Sequence, residues 1–107
     1  MQSLGCLEVY HAGPLTVVGF GGKPVLDNIN LAECREQLLH LIETHETHTL
    51  AIDLTGVKVL PSGLLGLLAS VHRRGVEIQL FNANDDIREV LAITKLDQVM
   101  RLEEVEV

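Results

Sequence analysis

Ser62 is the residue of this chain whose surroundings point most directly to chemistry. It lies in the run VKVLPSGLLGLL, where Pro61 and Gly63 interrupt an otherwise apolar segment. A serine at a helix start can cap the helix by accepting a hydrogen bond from a first-turn amide, which is worth about 1 kcal/mol. A phosphate at the same place would meet free N–H groups and the positive end of the helix dipole. Position alone favours the cap and leaves the phosphoacceptor as the alternative.

Two other segments resemble ligand-binding motifs but lack the required spacing. GFGGK, which begins at Gly19, has neither the full phosphate-loop spacing nor a Ser or Thr after its lysine. HETH, which begins at His45, has one residue between Glu46 and the second histidine, whereas the helical zinc motif needs two. Ser62 is also outside a Gly-x-Ser-x-Gly nucleophile elbow. We therefore expect no enzymatic activity, no metal and no cofactor.

Composition and charge narrow the class of protein further. The chain has 107 residues with a net charge of −7, and we interpret residues 1–107 as one domain. An acidic chain with one Tyr, two Phe and no Trp offers nucleic acid neither counter-charge nor stacking platforms. No apolar run is long enough for a membrane span, and the N-terminus does not resemble a signal peptide, so we expect a cytoplasmic protein.

The two cysteines allow more than one interpretation. Cys6 and Cys34 lack the spacing of metal ligands, so they are either two reduced thiols or a disulfide.

The hydrophobic pattern predicts a chain that alternates strands and helices. Leu31, Cys34 and Leu38 recur at helical spacing, whereas LAIDL, residues 50–54, hardly alternates, as expected for a central strand buried on both faces. We predict strands at 6–10, 15–20, 50–54 and 76–81, helices starting near residues 31, 62 and 86, a helical turn at 96–100, and a closing strand in RLEEVEV. Asp86 and Glu89 are positioned to form a capping box for the third helix.

This order predicts a single α/β domain with a mixed β-sheet. The first two strands are expected to form an antiparallel hairpin, because only a short turn joins them. The later strands alternate with helices and should therefore be parallel. We expect helices to cover most of the sheet.

Residues 50–102 resemble the STAS domain of anti-sigma factor antagonists. The similarity lies in an apolar strand ending in Asp-Leu, a Gly-Val step and a Ser-Gly-Leu helix start. It continues through a helix that ends in basic residues and glycine, an apolar strand that ends in Asn, and the run IREVLAITKLDQVMRL. Residues before 50 match only in the order of their elements. The resemblance implies a STAS-like fold for the whole chain.

The resemblance also implies a regulatory function and a site. Family members carry an Asp-Ser-Ser-Gly motif before the second helix, and its second serine is phosphorylated by a partner kinase that is also an anti-sigma factor. Phosphorylation releases the partner, and a phosphatase resets the cycle. Ser62 and Gly63 match the last two motif positions, whereas Leu60 and Pro61 replace the aspartate and the first serine.

The resulting hypothesis is an anti-sigma factor antagonist that acts by partner switching in signal transduction and transcription regulation. Its predicted partner is an anti-sigma factor with serine kinase activity, together with a phosphatase, and neither nucleic acid nor membrane is expected as a partner. Ser62 is the predicted phosphorylation site. The predicted partner-binding residues are Leu60, Pro61, Ser62, Gly63, Leu64 and Leu65. The alternative is a STAS module that binds a protein constitutively or senses a small ligand, without a phosphoswitch.

Overall fold

The computed structural model describes residues 8–20 and 31–103. Strands in this part of the chain are β1 Glu8–His11, β2 Leu15–Gly19, β3 Thr49–Asp53, β4 Glu77–Phe81 and β5 Met100–Glu103. Its α-helices are α1 Leu31–His45, α2 Ser62–Arg73 and α3 Asp85–Ile93, and a 3-10 turn, Leu96–Gln98, precedes β5. The predicted order of elements is confirmed, with described boundaries shifted by at most two residues. The start of the predicted first strand lies outside the described residues.

The strands form one mixed sheet in the order β1-β2-β3-β4-β5. β1 pairs antiparallel with β2, and every later pair is parallel. Ile52 in the central strand stands opposite Val18 of β2 and Leu80 of β4. The predicted α/β fold, with its N-terminal hairpin and parallel remainder, is therefore confirmed.

The described helices all pack on the same face of this sheet. Ile52, Ile78 and Leu80 point to that face and belong to one hydrophobic cluster, which also contains residues of each helix, among them Leu38, Leu68 and Leu91. This arrangement follows from the topology, because right-handed crossovers between successive neighbouring strands carry every connecting helix to the same side.

The opposite face of the sheet is not covered by any described helix. Val17, Gln79 and Phe81 point to that face and are only partly buried. Ala51 is buried there because it is small and lies in register between Val17 and Gln79. The expectation that helices cover most of the sheet is therefore correct for one face only.

Two predictions about helix starts are wrong. Pro61, not Ser62, occupies the N-cap position of α2, with an extended backbone and no side-chain cap from any described residue. A residue caps a helix from the position before its first turn, and Ser62 is already the first helical residue. At α3 the cap is Asn84, whose side chain accepts a hydrogen bond from the Ile87 amide at 2.8 Å, so Asp86 lies inside the first turn.

For Cys34, the structure supports the disulfide interpretation over the reduced thiol. It is fully buried in α1 and is disulfide-bonded. Cys6 lies outside the described residues. Among the residues described, no helix combines the length and the apolar character that crossing a membrane requires.

Candidate functional site

Ser62 is presented to solvent at the start of α2, after the loop that leaves the carboxyl end of β3. Its hydroxyl makes no hydrogen bond to a described residue. The amides of Leu64 and Leu65 in the first turn both donate to the Pro61 carbonyl, at 3.0 and 3.3 Å. The first turn of α2 carries no acidic residue. The helix therefore begins with an accessible hydroxyl and a positive dipole end that no neighbouring carboxylate in its first turn offsets.

The loop between β3 and α2 is held in place by hydrogen bonds on both sides. Near β3, the Thr55 amide donates to the Asp53 carboxylate at 3.0 Å, and the Asn82 side chain donates to the Thr55 hydroxyl at 2.9 Å. Farther along, the Asn84 amide group donates to the carbonyls of Val57 and Lys58 at 3.3 and 3.2 Å. Asn84 thus caps α3 and also ties α3 to the loop that leads to Ser62.

The predicted partner-binding residues divide into exposed and buried groups. Ser62 and Gly63 are exposed, and Pro61 is half-buried. Leu60 is 9 % exposed and Leu64 is 1 % exposed, and both belong to the core cluster with Leu65. The apolar spacing of α2 accounts for this result, since Leu64, Leu65 and Leu68 point toward the sheet. Leu64 packs inside the protein, and partner binding by the six predicted residues stays a prediction.

Gly63 lies unusually close to α1. A Cβ atom at this position would collide with the Leu31 side chain at the start of α1. A glycine here allows the two helix N-termini to approach each other, and it keeps the backbone beside Ser62 accessible.

A groove that the sequence did not reveal lies beside Ser62, between the loop and α3. It is lined by Lys58, Val59, Leu60, Leu65, Asp86, Ile87 and Val90, and its volume is about 190 Å³. Val59 is 59 % exposed at its rim, although it lies between the charged Lys58 and the buried Leu60. We call this feature the loop–α3 groove. Asn84-Asp85-Asp86 indicates the start of α3 in the sequence, but no local signal indicates that this helix lies against the loop.

Of the segments considered for metal or phosphate, the structure describes HETH completely and GFGGK only in part. No cluster of His, Cys, Asp or Glu among the described residues has the arrangement of a metal site. Thr47, within HETH, is buried, and its hydroxyl donates to the Gly13 carbonyl at 2.9 Å and contacts the Thr16 hydroxyl at 2.8 Å. This segment therefore joins the end of α1 to the β1–β2 turn. Residues 21–23 of GFGGK lie outside the described residues.

Comparisons with known proteins identify the family. The family model of the STAS domain matches residues 7–106. A solved structure described as an anti-sigma-factor antagonist (STAS) domain protein from Planctomyces limnophilus superposes with a TM-score of 0.76 and 22 % identity. The match covers 94 % of this chain and 90 % of that one. At 22 % identity, this structural likeness shows the fold alone. The search of curated proteins found no match to the sequence. The family match over nearly the whole chain confirms and extends the resemblance of residues 50–102: this chain belongs to the STAS domain family.

Proposed function

We propose that this chain is a cytoplasmic anti-sigma factor antagonist that binds an anti-sigma factor with serine kinase activity and is switched by phosphorylation of Ser62. The observation that carries the proposal is the exposed Ser62 hydroxyl, which lies at the first position of α2 in a STAS domain and bonds to none of the residues the structure describes. A kinase needs access to this oxygen, and no described side chain holds it.

The local charges favour a phosphate at this position in the free protein. A phosphoserine carries about two negative charges near pH 7 and is stabilised at a helix N-terminus. No acidic residue in the first turn of α2 would oppose it. The modified domain should therefore remain folded.

The same phosphate would weaken binding to the partner. Val59, three residues before Ser62, is 59 % exposed, so a partner that covers Ser62 also meets an apolar side chain. Burying a dianion in such a contact carries a desolvation penalty unless the partner supplies compensating charge. In this mechanism the unmodified form binds and the phosphorylated form is released, after which a phosphatase restores binding.

The alternative function is a STAS module that binds its partner constitutively or senses a small ligand. Leu60 and Pro61 favour it, because they stand where the family motif has an aspartate and a serine. Leu60 is only 9 % exposed and Pro61 has no backbone N–H, so neither residue offers a kinase a polar contact. In this alternative Ser62 only begins the helix.

A kinase assay separates these functions. The purified chain is mixed with candidate anti-sigma factor kinases and Mg-ATP, and the phosphate is located by mass spectrometry. We expect modification at Ser62 that is abolished in Ser62→Ala and retained in Ser70→Ala, a matched serine substitution later in the same helix. We also expect the phosphorylated protein to lose affinity for the kinase by about tenfold or more.

Three outcomes would contradict the proposal. Tight binding of the kinase without modification of Ser62 would favour the constitutive module. Equal phosphorylation of the wild type and of Ser62→Ala would place the phosphate elsewhere. Turnover of a small substrate by the purified domain would refute both binding functions.

A further inference from the structure

We propose that the loop–α3 groove is a second contact surface of this domain, which accepts an apolar side chain from a positively charged amphipathic segment of a partner protein. The inference rests on the proposed protein-binding function but does not require phosphorylation of Ser62. It adds a docking position and the chemistry of the segment that occupies it.

The shape of the groove suits a side chain rather than a flat surface. Its walls come from separate elements, namely the loop residues Val59 and Leu60, Leu65 of α2, and Ile87 and Val90 of α3. A cavity of about 190 Å³ is smaller than typical small-molecule sites, which span about 300–1,000 Å³. It has room for one apolar anchor of the kind that dominates many protein interfaces.

Exposed apolar residues extend the groove along α3. Val90 is 42 % exposed and Ile93 is 73 % exposed, and helical spacing places both on the same face as Asp86. With Val59 across the groove, they form an apolar strip wider than the cavity itself. A helix or an extended segment lying on this strip would bury apolar area on both sides of its anchor.

The charges around the strip indicate the sign of the partner. Asp86 and Glu89 lie one helical turn before Val90 and Ile93, and Asp85 precedes them at the start of α3. These acids are exposed. Asp86 and Lys58 are the two charged residues that line the groove itself, and Asp85 and Glu89 make the surface around it acidic. The chain as a whole carries a charge of −7. A segment with basic residues around its apolar anchor complements this rim and is steered toward it.

A second copy of this chain is a poorer occupant on the same grounds. In a two-fold dimer through the groove, each copy would bring the same acidic α3 to the contact, and two chains of like net charge would repel. A heterologous basic segment avoids this repulsion.

The groove is formed before any partner binds. Asn84 holds the loop and α3 together through its bonds to the carbonyls of Val57 and Lys58. The partner therefore does not have to order the loop, and less binding free energy is spent on conformational entropy.

An NMR titration of the full chain tests the proposal. The probe is a synthetic helical peptide of about 15 residues, with leucines on one face and lysines elsewhere, and its counterpart carries glutamates in place of the lysines. We expect the lysine peptide to shift the amide signals of residues 58–60, 65 and 86–93, with an affinity that falls as salt is raised. The glutamate peptide should leave these signals unchanged.

Matched surface variants give the quantitative test. Val90→Asn should weaken binding of the lysine peptide by about tenfold, because it puts a polar group into the groove wall. Val99→Asn is the control, since Val99 is 39 % exposed but does not line the groove. The Val99→Asn variant should bind the lysine peptide with the same affinity as the wild type. Thermal unfolding of each variant verifies that both remain folded.

Several results would overturn the inference. These are equal binding of the two peptides, signal shifts confined to another surface, or equal losses in the two valine variants. Self-association of the chain that Val90→Asn abolishes would assign the groove to a second copy instead. The kinase assay measures phosphorylation of Ser62, and the titration measures peptide binding at the groove. A negative result in one experiment does not predict the result of the other, so the two proposals can be refuted separately.

Discussion

Replacing Gly66 with alanine should stabilise this domain. Gly66 lies inside α2 and is exposed, and a Cβ atom added there would meet nothing within 4 Å. Glycine in a helix interior costs about 0.5–1 kcal/mol relative to alanine, because it loses more backbone entropy on folding. No contact is lost or crowded in Gly66→Ala, so we expect most of that amount as a gain in the free energy of unfolding.

Urea unfolding followed by circular dichroism measures this gain. With a urea slope of about 1–3 kcal/mol/M, a gain near 1 kcal/mol raises the midpoint by about 0.3–1 M. The melting temperature should rise by about 4–8 °C for a domain of this size. The slope itself should stay constant, because the substitution does not change the surface exposed on unfolding.

Gly75→Ala and Gly63→Ala provide the controls for this reasoning. Gly75 follows α2 with φ +95, where an L-residue is strained, so Gly75→Ala should destabilise the domain by about 1–2 kcal/mol. At Gly63 the added methyl group would force the Leu31 side chain to move, which should cancel part of any gain in helix propensity. A neutral or destabilising Gly66→Ala, with Gly75→Ala behaving as expected, would refute the inference that Gly66 has free space around it.

The remaining predictions concern the groups that hold the site in place. Asn84→Ala should lower the free energy of unfolding by about 1–2 kcal/mol in urea titrations, whereas Asn84→Asp keeps the cap acceptor but loses the donor to the Val57 and Lys58 carbonyls, so it should recover only part of that loss. Leu64→Ala should cost about 2–5 kcal/mol by the same measurement, because Leu64 is fully buried, and a cost below 1 kcal/mol would contradict its place in the core. Thr47→Val should cost about 1–3 kcal/mol, since it removes the buried hydroxyl that bonds to the Gly13 carbonyl; an unchanged melting temperature would show that this bond is dispensable.

The sequence was sufficient for the features that depend on neighbouring residues. The periodicity of LAIDL and of the leucines after Ser62 predicted a buried strand and a helix with an apolar face, and both are present. The short hairpin connection and the helical crossovers predicted which strands are antiparallel and which are parallel. The Ser-Gly-Leu helix start and the run IREVLAITKLDQVMRL were specific enough by themselves to indicate the STAS family.

The sequence was less informative about the start of α2. The sequence predicted Ser62 as the N-cap, whereas Pro61 holds that position, and the difference depends on where the chain turns out of the loop. That turn is set by bonds from Asn82 and Asn84, more than twenty residues away, to Thr55, Val57 and Lys58. The tertiary structure therefore decided that Ser62 is a first-turn residue whose hydroxyl bonds to no residue in 8–20 or 31–103.

The surface beside Ser62 was likewise decided by packing. Leu60 and Leu64 were predicted as contact residues and Val59 was not, but the first two point into the core and Val59 remains exposed. The groove exists only because α3 lies against the loop after β3. Local sequence determined which segments are strands and helices, because their periods of 2 and 3.6 residues are local properties. Long-range contacts determined which side chains reach the surface together.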